Sequence, residues 1–160
     1  MIASEVPRML QEALEAIKTD IIQNMSSNNR NASGRSIRSL RVEVMGNVGY
    51  LYGLQSFLSM ETGRKAGKVP RGFHKIIEQW IRDKGISLYS PEPGREPNIH
   101  SVAYFIARKI ASEGTMLHRR GTHQDIFTSS VEREFLKLSE NILLRAGSDV
   151  TYLNELLLTD

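Results

Sequence analysis

The chain has 160 residues, the length of a single domain. It contains no cysteine, which excludes disulfides, thiolate metal sites and cysteine nucleophiles, and no apolar run approaches the roughly 18 residues that cross a bilayer. The net charge of +3 is unevenly spread, because residues 125–160 carry −4 and the first 124 residues carry +7. This asymmetry suits head-to-tail contacts between copies or a surface that faces nucleic acid, and chance asymmetry on solvated faces is the alternative.

Residues 4–25 are predicted to form a long helix. Their apolar residues recur at helical spacing, at Val6, Leu10, Leu14, Ile17, Ile21 and Met25. Ser4 is the expected N-cap, and Pro7 falls in the first turn, where proline is tolerated. Residues 26–36 are polar and lack periodicity, which predicts a mobile loop.

The segment between Asp20 and Glu43 has no acidic residue and is the strongest nucleic-acid candidate in the sequence. It contains four arginines, Arg30, Arg35, Arg38 and Arg41. No aromatic residue is interleaved among them for base stacking, and a solvated loop is the simpler alternative.

A β-hairpin is predicted next. Apolar and charged residues alternate from Leu40 to Val44, as in a half-buried strand, and Gly46-Asn47 can form the turn. The return strand is expected over residues 48–54, with bulges at Gly49 and Gly53. Residues 56–60 are predicted to be extended.

Residues 62–72 form a glycine-rich loop that carries Arg64, Lys65 and Lys68. This composition suggests phosphate binding, but no Gly-Lys-Ser/Thr closes the loop as in a P-loop. A flexible contact loop is therefore the favoured interpretation.

Two helices are predicted to follow, over Phe73–Lys84 and Ser101–Ser112. The first is expected to bury Trp80 and to stop at Gly85. The second is expected to be capped by Ser101 and to end at Gly114, and its predicted inner face is Val102, Phe105, Ile106 and Ile110. Three prolines between Ser87 and Asn98 predict a loop between the two helices.

A last helix is predicted over Ser130–Ala146, after a loop at residues 115–125. A capping box of Ser129 and Glu132 marks its start, and Gly147 is expected to stop it. Its predicted inner stripe is Val131, Phe135, Leu138, Ile142 and Leu143.

Residues 148–160 are predicted to form an arm that folds back on the domain or docks on a neighbour, because they are too apolar for a loose tail. The arm residues expected to contact another subunit are Tyr152, Leu153, Leu156 and Leu157.

No catalytic, cofactor-binding or metal-ligating set is predicted. There is no Gly-x-Ser-x-Gly elbow, and the carboxylates do not cluster as in two-metal sites. His118 and His123 share a loop with Asp125, but their spacing matches no recognised metal signature.

An ordered set of short motifs runs through the chain after the predicted N-terminal helix. They are Ser33-Gly34-Arg35, Glu61-Thr62-Gly63-Arg64, Ile77-x-x-Trp80-Ile81-x-x-Lys84-Gly85, and Ala107-Arg108-Lys109-Ile110-Ala111-x-Glu113-Gly114-Thr115. In this order they resemble the tail-completion or neck proteins of tailed bacteriophages, which include head–tail joining and minor tail components. The likeness covers residues 5–145.

The resemblance implies an α+β fold, in which a long N-terminal helix and about three further helices pack on a small antiparallel sheet. We expect a single domain over residues 1–160, with a body at 1–147 and the arm at 148–160. The family's role implies a homo-oligomeric ring between the portal-side capsid vertex and the tail, with no enzymatic activity and no cofactor. The implied location is the virion, and the host cytoplasm during assembly.

The partners expected from this likeness are further copies of the chain, portal or head–tail adaptor proteins, tail proteins and packaged DNA in the channel, with no membrane. The residues expected to contact DNA or subunits are Arg30, Arg35, Arg38, Arg41, Arg64, Lys65, Lys68, Arg119 and Arg120. A non-specific DNA-binding module is the second hypothesis. An enzyme with a histidine site at residues 118–125 is the third.

Overall fold

The computed structural model describes residues 5–27, 29–89, 94 and 97–157, the last six of them by their backbone alone. Its elements are α1 (Val6–Ser27), α2 (Arg35–Arg38), β1 (Arg41–Met45), β2 (Val48–Tyr52), α3 (Ser56–Thr62), α4 (Phe73–Asp83), α5 (Ile99–Glu113), α6 (Met116–Arg120) and α7 (Thr128–Leu157). Helix α1 packs on both strands of the antiparallel sheet. The predicted α+β class is therefore confirmed.

The chain divides into two compact units. Unit 1 comprises Met1–Asn28, Ser39–Leu54 and Asp125–Asp160, and so contains α1, the β-hairpin and α7. Unit 2 comprises Asn29–Arg38 and Gln55–Gln124, and contains the five helices α2 to α6 of the described chain.

Helix α1 provides the core of unit 1 and packs against the hairpin and α7. Its buried residues are Met9, Ile17, Ile21 and Met25, spaced by multiples of four. The prediction was right for the last three and missed Met9, whereas Leu10 and Leu14 are half-buried. The predicted cap Ser4 lies outside the described residues.

The hairpin has a regular register, which overturns the predicted bulge at Gly49. Val44 pairs with Gly49, and Arg41 pairs with Tyr52. A Cβ atom on Gly49 would lie 2.6 Å from Cδ1 of Leu14, so this glycine makes room for α1 rather than for an extra residue. Strand β2 ends at Tyr52, and Gly53 lies beyond it.

Two segments predicted to be non-helical form helices. Residues 56–60 belong to α3, which buries Phe57, and the predicted loop 26–36 includes the end of α1 and the start of α2. Serine, threonine and glycine at the boundaries of these segments occur in turns and helix caps as readily as in extended chain. Composition alone therefore did not distinguish short helices from loops or strands here.

Helices α4 and α5 pack together in unit 2. Ile81 of α4 is buried, together with Ala103 and Ala107 of α5. Phe105, which was predicted to be inside, is 65% exposed. Trp80 is 44% exposed and is not the predicted core anchor.

The start of α5 also differs from the prediction. Asn98, not Ser101, is the N-cap, and its side chain accepts hydrogen bonds from the backbone N–H groups of His100 (3.0 Å) and Ser101 (3.2 Å). The helix therefore begins at Ile99, earlier than predicted. Its end before Gly114 was predicted.

Helix α7 is longer than predicted, and its buried face matches the prediction only in part. It continues through Gly147 to Leu157, because one glycine costs a helix only about 1 kcal/mol. Among its described side chains α7 buries Ser130 and Glu134, and the predicted Leu138 and Ile142 are half-buried. The predicted inner stripe is wrong at three residues, Val131, Phe135 and Leu143, which are 40%, 66% and 71% exposed. The predicted arm is a continuation of this helix as far as the described backbone extends.

The start of α7 is capped by Asp125 and not by the predicted capping box. The Asp125 carboxylate accepts hydrogen bonds from the backbone N–H (2.9 Å) and the hydroxyl (2.8 Å) of Ser129. These bonds lower the pKa of Asp125, the backbone bond most and the hydroxyl bond next, with a smaller contribution from the charge of Arg133.

Candidate functional site

Two helix ends cross in unit 2. Gly63 ends α3 with φ 77° and ψ −175°, and Gly114 ends α5 with φ 78° and ψ −179°. The Arg64 backbone N–H donates to Oγ1 of Thr115 (2.8 Å), and the Thr115 N–H donates to the Arg64 carbonyl (2.8 Å). We call residues 63–68 and 114–120 the glycine crossing.

The crossing is too close for side chains at either glycine. A Cβ atom on Gly63 would lie 2.5 Å from the backbone nitrogen of His118, and one on Gly114 would lie 2.7 Å from the Arg64 carbonyl oxygen. The Gly67 N–H also donates to the Ala111 carbonyl (2.8 Å). The basic loop predicted from sequence is therefore hydrogen-bonded along its first half to α5 and to the segment that follows it.

The second segment of the crossing contains helix α6, where a loop was predicted over residues 115–125. Thr115 is its N-cap, and the side chain accepts from the His118 N–H at 3.5 Å. The same hydroxyl oxygen accepts a hydrogen bond from the Arg64 N–H. Thr115 therefore caps α6 and also binds residues 63–68, the first segment of the crossing.

The crossing brings together basic residues that the sequence placed in two separate loops. These are Arg64, Lys65, Lys68, Arg119 and Arg120. No acidic residue occurs in the segments 62–77 and 114–124. The resulting surface of unit 2 is positively charged.

The five cations differ in what they contact. Arg64 donates to the Lys68 carbonyl (2.9 Å) and lies over the ring of Phe73, 5.6 Å from its centre. Arg119 pairs with Glu113 (2.7 Å). Lys65, Lys68 and Arg120 are exposed, and no acidic side chain in the described part of the chain pairs with them.

Three of the four arginines predicted to bind nucleic acid have protein partners. Arg30 donates to the side chain of Gln124, and Arg38 donates to the Ser33 carbonyl (3.1 Å). Arg41 pairs with Glu43 (3.6 Å) and lies over the ring of Tyr52. Arg35 is exposed on α2.

A shallow cleft on α4 and α5 is a second polar site. It is lined by Lys75, Glu78, Gln79, Arg82 and His100. Glu78 accepts from Arg82 (2.6 Å) and is 3.3 Å from Nδ1 of His100. The hydrogen bond from Arg82, and then that from His100, lowers the pKa of Glu78.

Histidines also meet at this cleft, although nothing in the sequence indicated it. The rings of His74 and His100 are 5.2 Å apart, edge to face. Residues 74 and 100 lie on different helices, so only the packing of α4 on α5 reveals the pair. Glu78 contacts both Arg82 and His100 within this cleft.

The outer face of α7, opposite its buried residues, is apolar and acidic. Leu136, Leu143 and Val150 recur every seven residues and are 61%, 71% and 56% exposed. Glu132 and Glu140 share this face, four residues before and after Leu136, and are exposed. We call these five residues the outer α7 face.

The basic residues of α7 all pair within unit 1. Arg133 pairs with Asp20 and with Glu134 (3.2 Å), and Arg145 pairs with Glu5. Lys137 pairs with Glu134 (2.7 Å), and this bond is the main reason that the pKa of Glu134 is lowered, although burial opposes the shift.

The acids of the outer α7 face have no such partners. Glu132 and Glu140 make no ion pair with any described residue. The face therefore carries negative charge beside its exposed leucines.

The remaining sequence-based expectations concern a histidine metal site, the C-terminal arm and membrane-spanning helices. Among the described residues, no three histidine, aspartate or glutamate side chains are placed to hold a metal ion, His118 and His123 included. The side chains of Tyr152, Leu153, Leu156 and Leu157 lie outside the described part of the structure. None of the described helices combines the length and apolar content needed to cross a membrane.

Comparison with known proteins does not add to these observations. No protein-family model matches the chain, and neither the curated proteins nor the solved structures contain a match.

Proposed function

We propose that the chain is a structural subunit of a tailed-phage virion, which assembles into a neck or tail-completion ring between the portal-side vertex of the capsid and the tail. Copies of the chain are its first partners, and portal or adaptor proteins and tail proteins are the others. In this role the chain acts by shape and docking, without turnover of a substrate.

The outer α7 face is the observation that carries the proposal. Leu136, Leu143 and Val150 are each more than half exposed on one face of one helix. Exposed apolar residues that recur along one face of a helix are typical of contact sites, whereas singly scattered exposed leucines are not. The order of motifs from Ser33 to Thr115 supports the assignment to a neck or tail-completion protein.

Native mass measurement of the purified full-length chain tests this proposal. We expect a closed oligomer of defined subunit number, visible as rings by electron microscopy. A chain that stays monomeric at every accessible concentration, and that is absent from purified virions, would contradict it.

A nucleic-acid-binding module is the second candidate, and the unpaired cations of the glycine crossing favour it. Lys65, Lys68 and Arg120 could neutralise phosphates without sequence preference. Gel shifts at increasing salt test this function, with binding expected to weaken steeply. Absence of binding at low salt would exclude it.

A further inference from the structure

We propose that the glycine crossing of one subunit binds the outer α7 face of a second copy of the chain. This contact rests on the proposed function, since it names the surfaces that would join neighbouring subunits. One surface belongs to unit 2 and the other to unit 1.

Unpaired charge on the crossing is the first argument. Lys65, Lys68 and Arg120 are exposed and have no acidic partner among the described residues. The reciprocal hydrogen bonds between Arg64 and Thr115 fix the backbone that carries them. These bonds join the two segments that carry the cations, so binding does not need to order a loop first.

Unpaired charge on α7 is the second argument, and it has the opposite sign. Arg133, Lys137 and Arg145 pair with acids of unit 1. Glu132 and Glu140 have no cationic partner in the described chain. Complementary charges of this kind steer association and fix its register.

Apolar side chains accompany the charges on both surfaces. Met116 of the crossing is 56% exposed, and Leu58 of the adjoining α3 is 58% exposed. They can cover Leu136, Leu143 and Val150 of the second copy. Apolar residues at the centre and charges around them are the arrangement found in protein interfaces.

The two surfaces are different, so the contact is heterologous. Heterologous contacts close into rings when the rotation between neighbours permits, and otherwise extend into filaments. A nucleic acid could bind the crossing by its phosphates, but it would leave the acidic outer α7 face uncovered. A second copy accounts for both surfaces.

Charge reversal on each surface tests the contact. One variant carries Lys65→Glu, Lys68→Glu and Arg120→Glu, and the other carries Glu132→Lys and Glu140→Lys. We expect each to raise the concentration for half-assembly at least tenfold. One chain with all five changes should recover the wild-type mass, because the charges again oppose each other. A mixture of the two variants should recover association for the same reason, with the variants alternating.

The control reverses charge elsewhere on unit 2. Arg108→Glu and Lys109→Glu change two exposed cations of α5 outside the crossing, and should leave assembly unchanged. Circular dichroism of every variant should match the wild type.

Four results would overturn the docking proposal. Assembly of both variants at wild-type concentration would exclude these surfaces and leave the proposed function intact. Failure of the mixture and of the five-change chain to recover assembly, with folding preserved, would exclude direct charge pairing. Unchanged mass with lost DNA binding in the crossing variant would make nucleic acid the occupant. A wild-type chain that never assembles would remove the proposed function as well.

Discussion

The glycine crossing depends on Gly63 and Gly114, which lie 51 positions apart in the sequence. Both have φ near +78° with an extended ψ, a backbone region that essentially only glycine occupies. Each also lies against backbone of the opposite segment of the crossing. The sequence predicts that Gly114 ends a helix, but it predicts neither the helix that ends at Gly63 nor that the two glycines meet.

We expect Gly114→Ala to destabilise unit 2. The backbone conformation alone costs on the order of 1–3 kcal/mol for alanine, and the added Cβ atom would lie 2.7 Å from the Arg64 carbonyl oxygen, which cannot move without breaking the crossing. Urea unfolding followed by the fluorescence of the single tryptophan, Trp80, measures the loss.

Gly121→Ala is the matched control for this change. Gly121 has φ 63° and ψ 23°, and no atom lies within 4 Å of the position that the alanine methyl group would take. Only the left-handed backbone cost of roughly 1–2 kcal/mol applies there. Equal losses in the two variants would show that the close approach at Gly114 does not matter.

The charge of Asp125 should make the stability of the start of α7 depend on pH. Its lowered pKa means that the charged carboxylate stabilises the fold at neutral pH, and that this contribution is lost as pH falls through the lowered pKa. We expect Asp125→Ala to cost about 1 kcal/mol at neutral pH for the lost hydrogen bonds, and roughly 1–2 kcal/mol more for alanine at φ 49°. Only the first part should become smaller in acid. Urea unfolding across this range measures the difference between variant and wild type.

Asp125→Asn separates the charge from the conformation. Asp125 has φ 49°, which asparagine tolerates and alanine does not. The asparagine variant should therefore lose less stability than the alanine variant. A difference from wild type that stays constant with pH would show that the carboxylate charge does not contribute.

At the scale of elements, α7 differs most from what its sequence predicts. The glycine at position 147 is expected to stop the helix, yet the helix runs on to Leu157. Gly147 has no atom within 4 Å of a Cβ position. Good helix formers precede the glycine, from Leu143 to Ala146, and one glycine costs a helix only about 1 kcal/mol.

Gly147→Ala is therefore expected to stabilise α7. Replacing glycine by alanine at an exposed helical site removes freedom from the unfolded chain and is worth about 0.5–1 kcal/mol. Thermal unfolding by circular dichroism should show a higher midpoint. A lower midpoint would mean that the methyl group meets something, such as the surface of a neighbouring copy.

Deleting residues 148–160 tests the predicted arm. The shortened chain keeps α1, the hairpin and the buried Ser130 and Glu134 of α7, so we expect it to fold. It loses Val150 of the outer α7 face and should assemble less readily, as sedimentation would show. Assembly at the wild-type concentration would contradict a role for this segment.

The sequence predicted the kind of element better than the direction each element faces. The long α1, the hairpin turn at residues 46–47 and the glycine ends of α4 and α5 follow from local chemistry and were predicted. Trp80 and Phe135 were assigned to the core because each falls on the apolar stripe of a helix. In the structure they are 44% and 66% exposed, because helical spacing shows which residues share a face and not how deeply each is covered.

At the scale of the whole chain, the sequence shows that charge is unevenly divided between two parts of the chain. The structure shows which of the charged side chains remain unpaired. Residues 125–160 carry −4 and the remainder carries +7. In the structure, ion pairs within unit 1 neutralise the bases of α7 and leave Glu132 and Glu140. Which charges remain depends on contacts such as Arg133 with Asp20, 113 residues apart, and no local pattern predicts those.

Salt should separate the electrostatic and apolar parts of subunit association. The Debye length falls from about 10 Å at 0.1 M salt to about 3 Å at 1 M, so attraction between exposed charges is strongly screened at high salt. We expect wild-type assembly, measured by sedimentation, to weaken as salt rises. The variant with Glu132→Lys and Glu140→Lys should assemble poorly at low salt and approach the wild type at high salt.

Leu143→Ser tests the apolar part of the contact. It should weaken assembly by a similar factor at every salt concentration, because burial of this leucine does not depend on charge. If assembly of the wild type did not change with salt, the apolar residues alone would hold neighbouring subunits together.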